Sequence, residues 1–169
     1  MPEYKVVVNE SVTCWYNKEG QFHREDGPAV EFADGTKKWY QNDKFHRDDG
    51  PAVEYADGTK AWWVDGKQHR LDGPAVEYAS GTKEWLQHNK LHRLDGPAIE
   101  GANGTKHWYQ HNKLHRLDGP AKEYADGTKE YWIAGKRLTE EELNRRTNSC
   151  DGKVVEVDGK KYKLILVEE

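Results

Sequence analysis

The chain has 169 residues, of which 35% are hydrophobic and 33% charged, and its 26 basic and 30 acidic side chains give a formal charge of −4. Seven tryptophans and nine tyrosines make it too aromatic for a disordered tail, and its polarity leaves too little apolar matter for one deep core. The slight acidity excludes the basic footprint of a duplex-binding domain, and no apolar run approaches the ~20 residues of a membrane span. From the N-terminus, Met1-Pro2-Glu3-Tyr4-Lys5 lacks the charged and apolar regions of a secretory leader. With Cys14 and Cys150 at opposite ends, free thiols in a reducing cytoplasm are expected. Residues 4–8 read as a strand, and residues 1–22 as an irregular capping unit with Tyr16 in the first place of the column described next.

Residues 23–138 are repetitive. Asp-Gly-Pro-Ala begins at Asp26, Asp49, Asp72, Asp95 and Asp118, a constant step of 23 residues. Each unit places Asp-Gly, or its equivalents Ser80-Gly81 and Asn103-Gly104, between two alternating runs, which is a hairpin signal. A two-residue type I′ turn at Asp34-Gly35 sets Ala33 opposite Thr36, Phe32 opposite Lys37, Glu31 opposite Lys38 and Val30 opposite Trp39. On that register Trp39, Trp62, Trp85, Trp108 and Tyr131 form the core column. The expected fold is all-β, an array of five stacked 23-residue antiparallel hairpins advancing roughly 9–10 Å per unit. A parallel β-helix coil is the rival geometry, which the tight hairpin turn argues against.

The unit His-Arg-x-Asp-Gly-Pro-Ala resembles the variant MORN repeat (membrane occupation and recognition nexus) found in proteins of tailed bacteriophages. The segment Gly135-Lys136-Arg137-Leu138-Thr139-Glu140-Glu141-Glu142 resembles the way such arrays end. The resemblance covers about residues 11–147. It implies a rod or trough of stacked hairpins in a bacterial host cell's cytoplasm, and related proteins labelled antitoxins imply a protein-neutralising role. The chain departs from membrane-associated MORN proteins in lacking the net positive charge that would support lipid binding.

Residues 139–169 read as a C-terminal cap: a Thr139-x-x-Glu142 capping box opening a helix to about Arg146, then a break at 148–152. A hairpin of strands 153–157 and 161–167 follows, turning at Asp158-Gly159.

Of the side chains that could carry chemistry, the column His23, His46, His69, His92 and His115 is the most conspicuous. Imidazoles roughly 9–10 Å apart cannot share an ion held at about 2.1 Å, and an enzyme has no use for five copies of one site. The imidazole and the Asp carboxylate are expected to satisfy backbone groups between hairpins. His88 and His111 read as surface tips, and Cys14 as a structural thiol rather than a Cys–His nucleophile with His23. The column Glu31, Glu54, Glu77, Glu100 and Glu123 faces Lys38, Ala61, Glu84, His107 and Glu130, which is no ion-pair ladder. Beside it stands a second apolar column, Tyr40, Trp63, Leu86, Tyr109 and Trp132. Left exposed, it would be a stripe for a partner protein. The expected function is a non-enzymatic binding module that sequesters or inhibits a host protein, with no cofactor, metal, nucleic acid or membrane. A virion-associated structural protein, homo-oligomeric through the C-terminal hairpin edge, is one alternative; a small-nucleotide sponge is the other.

Overall fold

A computed structural model describes residues 4–147, together with the backbone of strands Val154–Val157 and Lys160–Lys163. Cys150 and the turn Asp158-Gly159 lie outside the described residues. The chain is an all-β repeat array, a 13-stranded antiparallel sheet in which strand order follows chain order. It opens with β1 (Lys5–Val8) on β2 (Val12–Tyr16), and β2 then pairs with β3 (Val30–Phe32). The first repeat hairpin is β3 with β4 (Lys37–Lys38), and β4 passes the ladder to Val53–Glu54 of the next repeat. A second, smaller hairpin follows in each repeat, formed first by β5 (Tyr40–Gln41) and β6 (Lys44–Phe45). The terminal strands Val154–Val157 and Lys160–Lys163 pair with each other.

The register corrects the expected turn. Glu31 pairs with Lys37 and Val30 with Lys38, so the Asp-Gly loop has three residues, 33–35, instead of two. Gly35 N–H donates to the Phe32 carbonyl at 3.0 Å, and Phe32 N–H donates to the Thr36 carbonyl at 2.9 Å. Only Gly35 takes a positive φ, 94°, while Asp34 stays on the ordinary side and its carboxylate accepts the Thr36 N–H at 2.8 Å. This is a type I turn closed by a left-handed glycine, and Asp34 favours it because its side chain caps the turn from within. The type I′ turns are at the short polar tips. Asn42 (51°) and Asp43 (62°) both have positive φ between the paired strands β5 and β6. The pairs Asp65-Gly66, His88-Asn89, His111-Asn112 and Ala134-Gly135 repeat the pattern.

A one-residue slip exchanges the faces of a strand, so three further expectations change. The Trp column is not the core. The fully buried column is Ala29, Ala52, Ala75, Ala98 and Ala121, each 0% exposed, beside buried Val30, Val53 and Val76. Trp39 instead bridges the two hairpins of its repeat, donating its backbone N–H to the Ala52 carbonyl at 2.8 Å. The column's first member is Trp15 rather than Tyr16, since Arg24 lies over Trp15 as Arg47 lies over Trp39. The Glu column pairs with lysines after all: Glu31, Lys37, Glu54, Lys60, Glu77 and Lys83 alternate across consecutive strands.

The far end is closed by α1 (Glu140–Thr147). Thr139 Oγ1 accepts the Glu142 N–H at 3.1 Å while a Glu142 carboxylate oxygen accepts the Thr139 N–H at 2.7 Å, the expected capping box. Leu138 and Leu143 are buried at this end of the sheet. Cys14 is a buried free thiol on β2, between Val7 and Val30 in the ladder. No helix among the described residues is long and apolar enough to cross a membrane.

Candidate functional site

The repeat motif resolves into one cassette built around arginine. The Arg47 guanidinium lies 4.1 Å from the centre of the Trp39 ring, and its Nε donates to Asp49 at 2.8 Å. Its Nη1 donates to the Pro51 carbonyl at 3.3 Å and to Glu54 at 3.0 Å. Glycine at position 50 suits this arrangement, because a Cβ there would stand 3.0 Å from the guanidinium carbon and the arginine would have to give by a few tenths of an ångström. The letters of His-Arg-x-Asp-Gly-Pro-Ala thereby acquire physical roles. Asp and the Pro carbonyl hold the guanidinium, Gly lets it lie flat, and Ala enters the core. The cassette recurs at Arg24, Arg70, Arg93 and Arg116, each 4.0–4.2 Å from its tryptophan ring. The aspartate was expected to satisfy backbone groups; its main partner is this arginine. Hydrogen bonding from the arginine holds the carboxyls of Asp26, Asp49, Asp72, Asp95 and Asp118 below the ordinary aspartate range. They form a persistently ionised row, with Asp72, Asp95 and Asp118 each 84% exposed.

The imidazoles do meet backbone groups. Nδ1 of His23, His46, His92 and His115 accepts the N–H of Asn42, Asp65, His111 and Ala134 at 3.1–3.3 Å, which ties each loop to the tip of the following hairpin. His69 is the exception: its Nδ1 is buried without a partner. The structure also brings together two pairs that within-column spacing kept apart. His69 packs on His88, and His92 on His111, each with ring centres 4.3 Å apart. Burial, and then the neighbouring imidazole, lowers the pKa of His69 and His92. His46 sits instead between two carboxylates, Asp48 at 3.2 Å and Asp65 at 3.3 Å. Reading each column alone hid these pairs, because a loop residue meets a tip residue 19 positions later.

Tyr40, Trp63, Tyr109 and Trp132 are half-buried, and Leu86 is buried at 7% exposure. None stands as an exposed stripe, because the second hairpins supply neighbours. Tyr16, Phe22, Tyr40, Phe45 and Trp63 stack in sequence with ring centres 4.3–5.3 Å apart. Trp132 donates its indole N–H to Glu130 at 2.9 Å.

Apolar surface remains open at Val6, Val7 and Val8 of β1, at Phe32, Tyr55, Val64 and Tyr78, and on the loops at the x position of His-Arg-x-Asp. Leu71 and Leu94 are each 76% exposed and Leu117 54%. The two preceding repeats carry Glu25 and Asp48 at the same place. Between successive loops lie two cavities of matching composition, of about 590 and 510 Å³. Leu71, Leu94 and Trp85 line the first; Leu94, Leu117 and Trp108 line the second. The x position is inconspicuous in the sequence because it varies from repeat to repeat, although a clustered run of leucines at a variable site was the available signal. Compared with known proteins, the chain matches no family model and no curated protein.

Proposed function

We propose that the chain is a non-enzymatic protein-binding module that sequesters or inhibits a bacterial host protein. The observation that carries this reading is the row Leu71, Leu94 and Leu117. Folding does not require leucine there, since Glu25 and Asp48 occupy the same column in equivalent loops. Three exposed leucines on a rigid repeat edge are apolar surface in excess of what the array needs, and such surface marks contact with another macromolecule. The trough column Tyr40, Trp63, Leu86, Tyr109 and Trp132 is half-buried or buried and in part stacked within the array, so its truncation would disturb the array as well as any contact. The host assignment follows the resemblance of the repeat unit to phage proteins.

Affinity capture from bacterial lysate, read by mass spectrometry, tests the proposal. Leu71→Glu/Leu94→Glu is the control, because the column already accommodates glutamate. A protein retained by the parent chain and lost with the folded double variant is the expected result. Equal retention by both, or an empty capture, would overturn the reading.

A further inference from the structure

We infer that β1 pairs edge to edge with β1 of a second copy of this chain, antiparallel about a two-fold axis at Val7. The inference is independent of the protein-binding reading above. β1 stands first in the 13-stranded sheet, and among the described residues it pairs with β2 alone. Asn9 donates its N–H to the Val12 carbonyl at 3.0 Å, whereas Trp15, opposite Val6, donates its own away from β1, to Ala29 at 2.8 Å. Backbone groups alternate along an antiparallel strand. Lys5, Val7 and Asn9 therefore bond to β2, while Val6 and Val8 point theirs outward. Tyr4 fixes the strand on the first loop, its hydroxyl accepting the Glu25 N–H at 3.0 Å.

The buried ladder also stops short at this edge. It runs from Val76 through Ala61, Val53, Lys38, Val30 and Cys14 to Val7. Its apolar members are buried until Val7, which is 41% exposed. Val6 and Val8 are exposed too, and between Lys5 and Asn9 the edge carries no charge or proline of the kind that protects sheet edges. The opposite end is finished differently. Its last strand, Lys136–Leu138, carries two cations and is closed by α1, with Leu138 and Leu143 buried. One open end per chain permits a closed two-fold pair and no filament. The chain's own C-terminal hairpin cannot serve. It leaves from the far end, twelve strand intervals or roughly 58 Å along the sheet. Its tether, residues 148–153, spans about 20 Å at most.

An axis at Val7 sets Val7 against Val7 and Val6 against Val8, so every valine meets a valine and the ladder continues into the second copy. Lys5 faces Asn9, and no like charges meet. Val6 and Val8 then exchange their outward backbone bonds. Shifting the axis to Val6 or Val8 would set Val7 against Lys5 or Asn9 instead.

Sedimentation equilibrium of the full chain should show a reversible monomer–dimer equilibrium. Val7→Lys and Val7→Glu each set like charges across the axis, so each should raise the dimer dissociation constant at least tenfold. An equimolar mixture of the two should restore a one-to-one dimer, because lysine then faces glutamate. If circular dichroism shows either variant unfolded, Val8→Pro decides. It removes an outward N–H and leaves the bonds to β2 intact, so the chain should be folded and monomeric. Val155→Lys, in the C-terminal hairpin, should leave the dimer unchanged. A parent chain that stays monomeric to millimolar concentration overturns the inference. So does a dimer that survives Val8→Pro, or one that folded charge variants do not restore on mixing. A dimer abolished by Val155→Lys would give the edge to the hairpin of a second copy and overturn it as well.

Discussion

At Arg70 a single side chain makes four contacts: the Trp62 ring at 4.1 Å, Asp72 at 2.9 Å, the Pro74 carbonyl at 3.3 Å and Glu77 at 3.4 Å. Only a planar, forked cation can make them together, so Arg70→Lys keeps the charge and loses the arrangement. The expected loss is about 1–2 kcal/mol, measured by urea unfolding; an unchanged midpoint would mean that the cassette is ornamental to stability. Gly73→Ala attacks the same point from the other side. Its Cβ would stand 2.9 Å from the Arg70 guanidinium carbon, and forcing the two apart should cost about 1–3 kcal/mol. The titrating groups give stability a pH dependence whose sign follows from their direction. The pKa values of His69, His92 and His115 are lowered from the ordinary 6.5, so their contribution is complete above that value and is lost as pH falls through the folded values. The five loop aspartates, lowered from 3.8, add a second loss beginning near that value and continuing below it. His88→Asn/His111→Asn removes the neighbouring imidazoles at tips where Asn42 already serves. The fall in stability between pH 7 and 5 should become shallower without vanishing, because burial is the larger cause for His69 and His92. An unaltered slope would show that the imidazole pairs do not couple.

The two hairpins of each repeat differ in what they ask of their turns. The Asp-Gly loop needs one left-handed residue, supplied by Gly35, Gly58, Gly81, Gly104 or Gly127, whereas each tip needs two in succession. Ala134 is the poorest answer at a tip: it holds φ at 50° with no polar side chain to compensate. Asparagine tolerates this region better, so Ala134→Asn should stabilise the chain by about 0.5–1 kcal/mol. A lower melting temperature would mean that Ala134 is held for its packing instead. The same elements show what the sequence makes legible. The period, the hairpins, the Thr139–Glu142 capping box and the fold class follow from residue patterns whose physics is local. The register does not, because Asp34-Gly35 fits either a two-residue or a three-residue loop. The choice depends on Asp34 accepting the Thr36 N–H and on Thr36 in turn accepting the Ala56 N–H of the next repeat at 3.2 Å. That one residue moved tryptophan out of the core and brought the Glu and Lys columns opposite each other. The Leu row was equally hidden: a column holding Glu, Asp and Leu has no single character until exposure shows that the leucines face outward.

For the whole molecule, the 23-residue period is a mechanical unit, since each repeat pairs with the next through the same backbone ladder. Removing residues 72–94 joins Leu71 directly to Asp95 and restores His69-Arg70-Leu71-Asp95-Gly96-Pro97, an uninterrupted loop motif. Stability in such arrays is close to a sum of repeat and interface terms, so the shortened chain should fold cooperatively. Its urea m-value should be smaller in proportion to the surface it no longer buries. Removing residues 72–83 alone takes half a period and places Glu84 where Asp72 binds Arg70, deleting Pro74 and Ala75 from the cassette and the core. That chain should lose cooperative unfolding. The in-period deletion also shortens the Leu row from three members to Leu71 and Leu117 and leaves one upstream cavity in place of two. A partner that reads the row along its length should therefore bind the shortened chain more weakly although it is folded, while a partner satisfied by one cavity would bind it as it binds the parent. Circular dichroism to establish folding, followed by titration of the same partner into both chains, separates these cases and measures how many steps of the array the interaction spans.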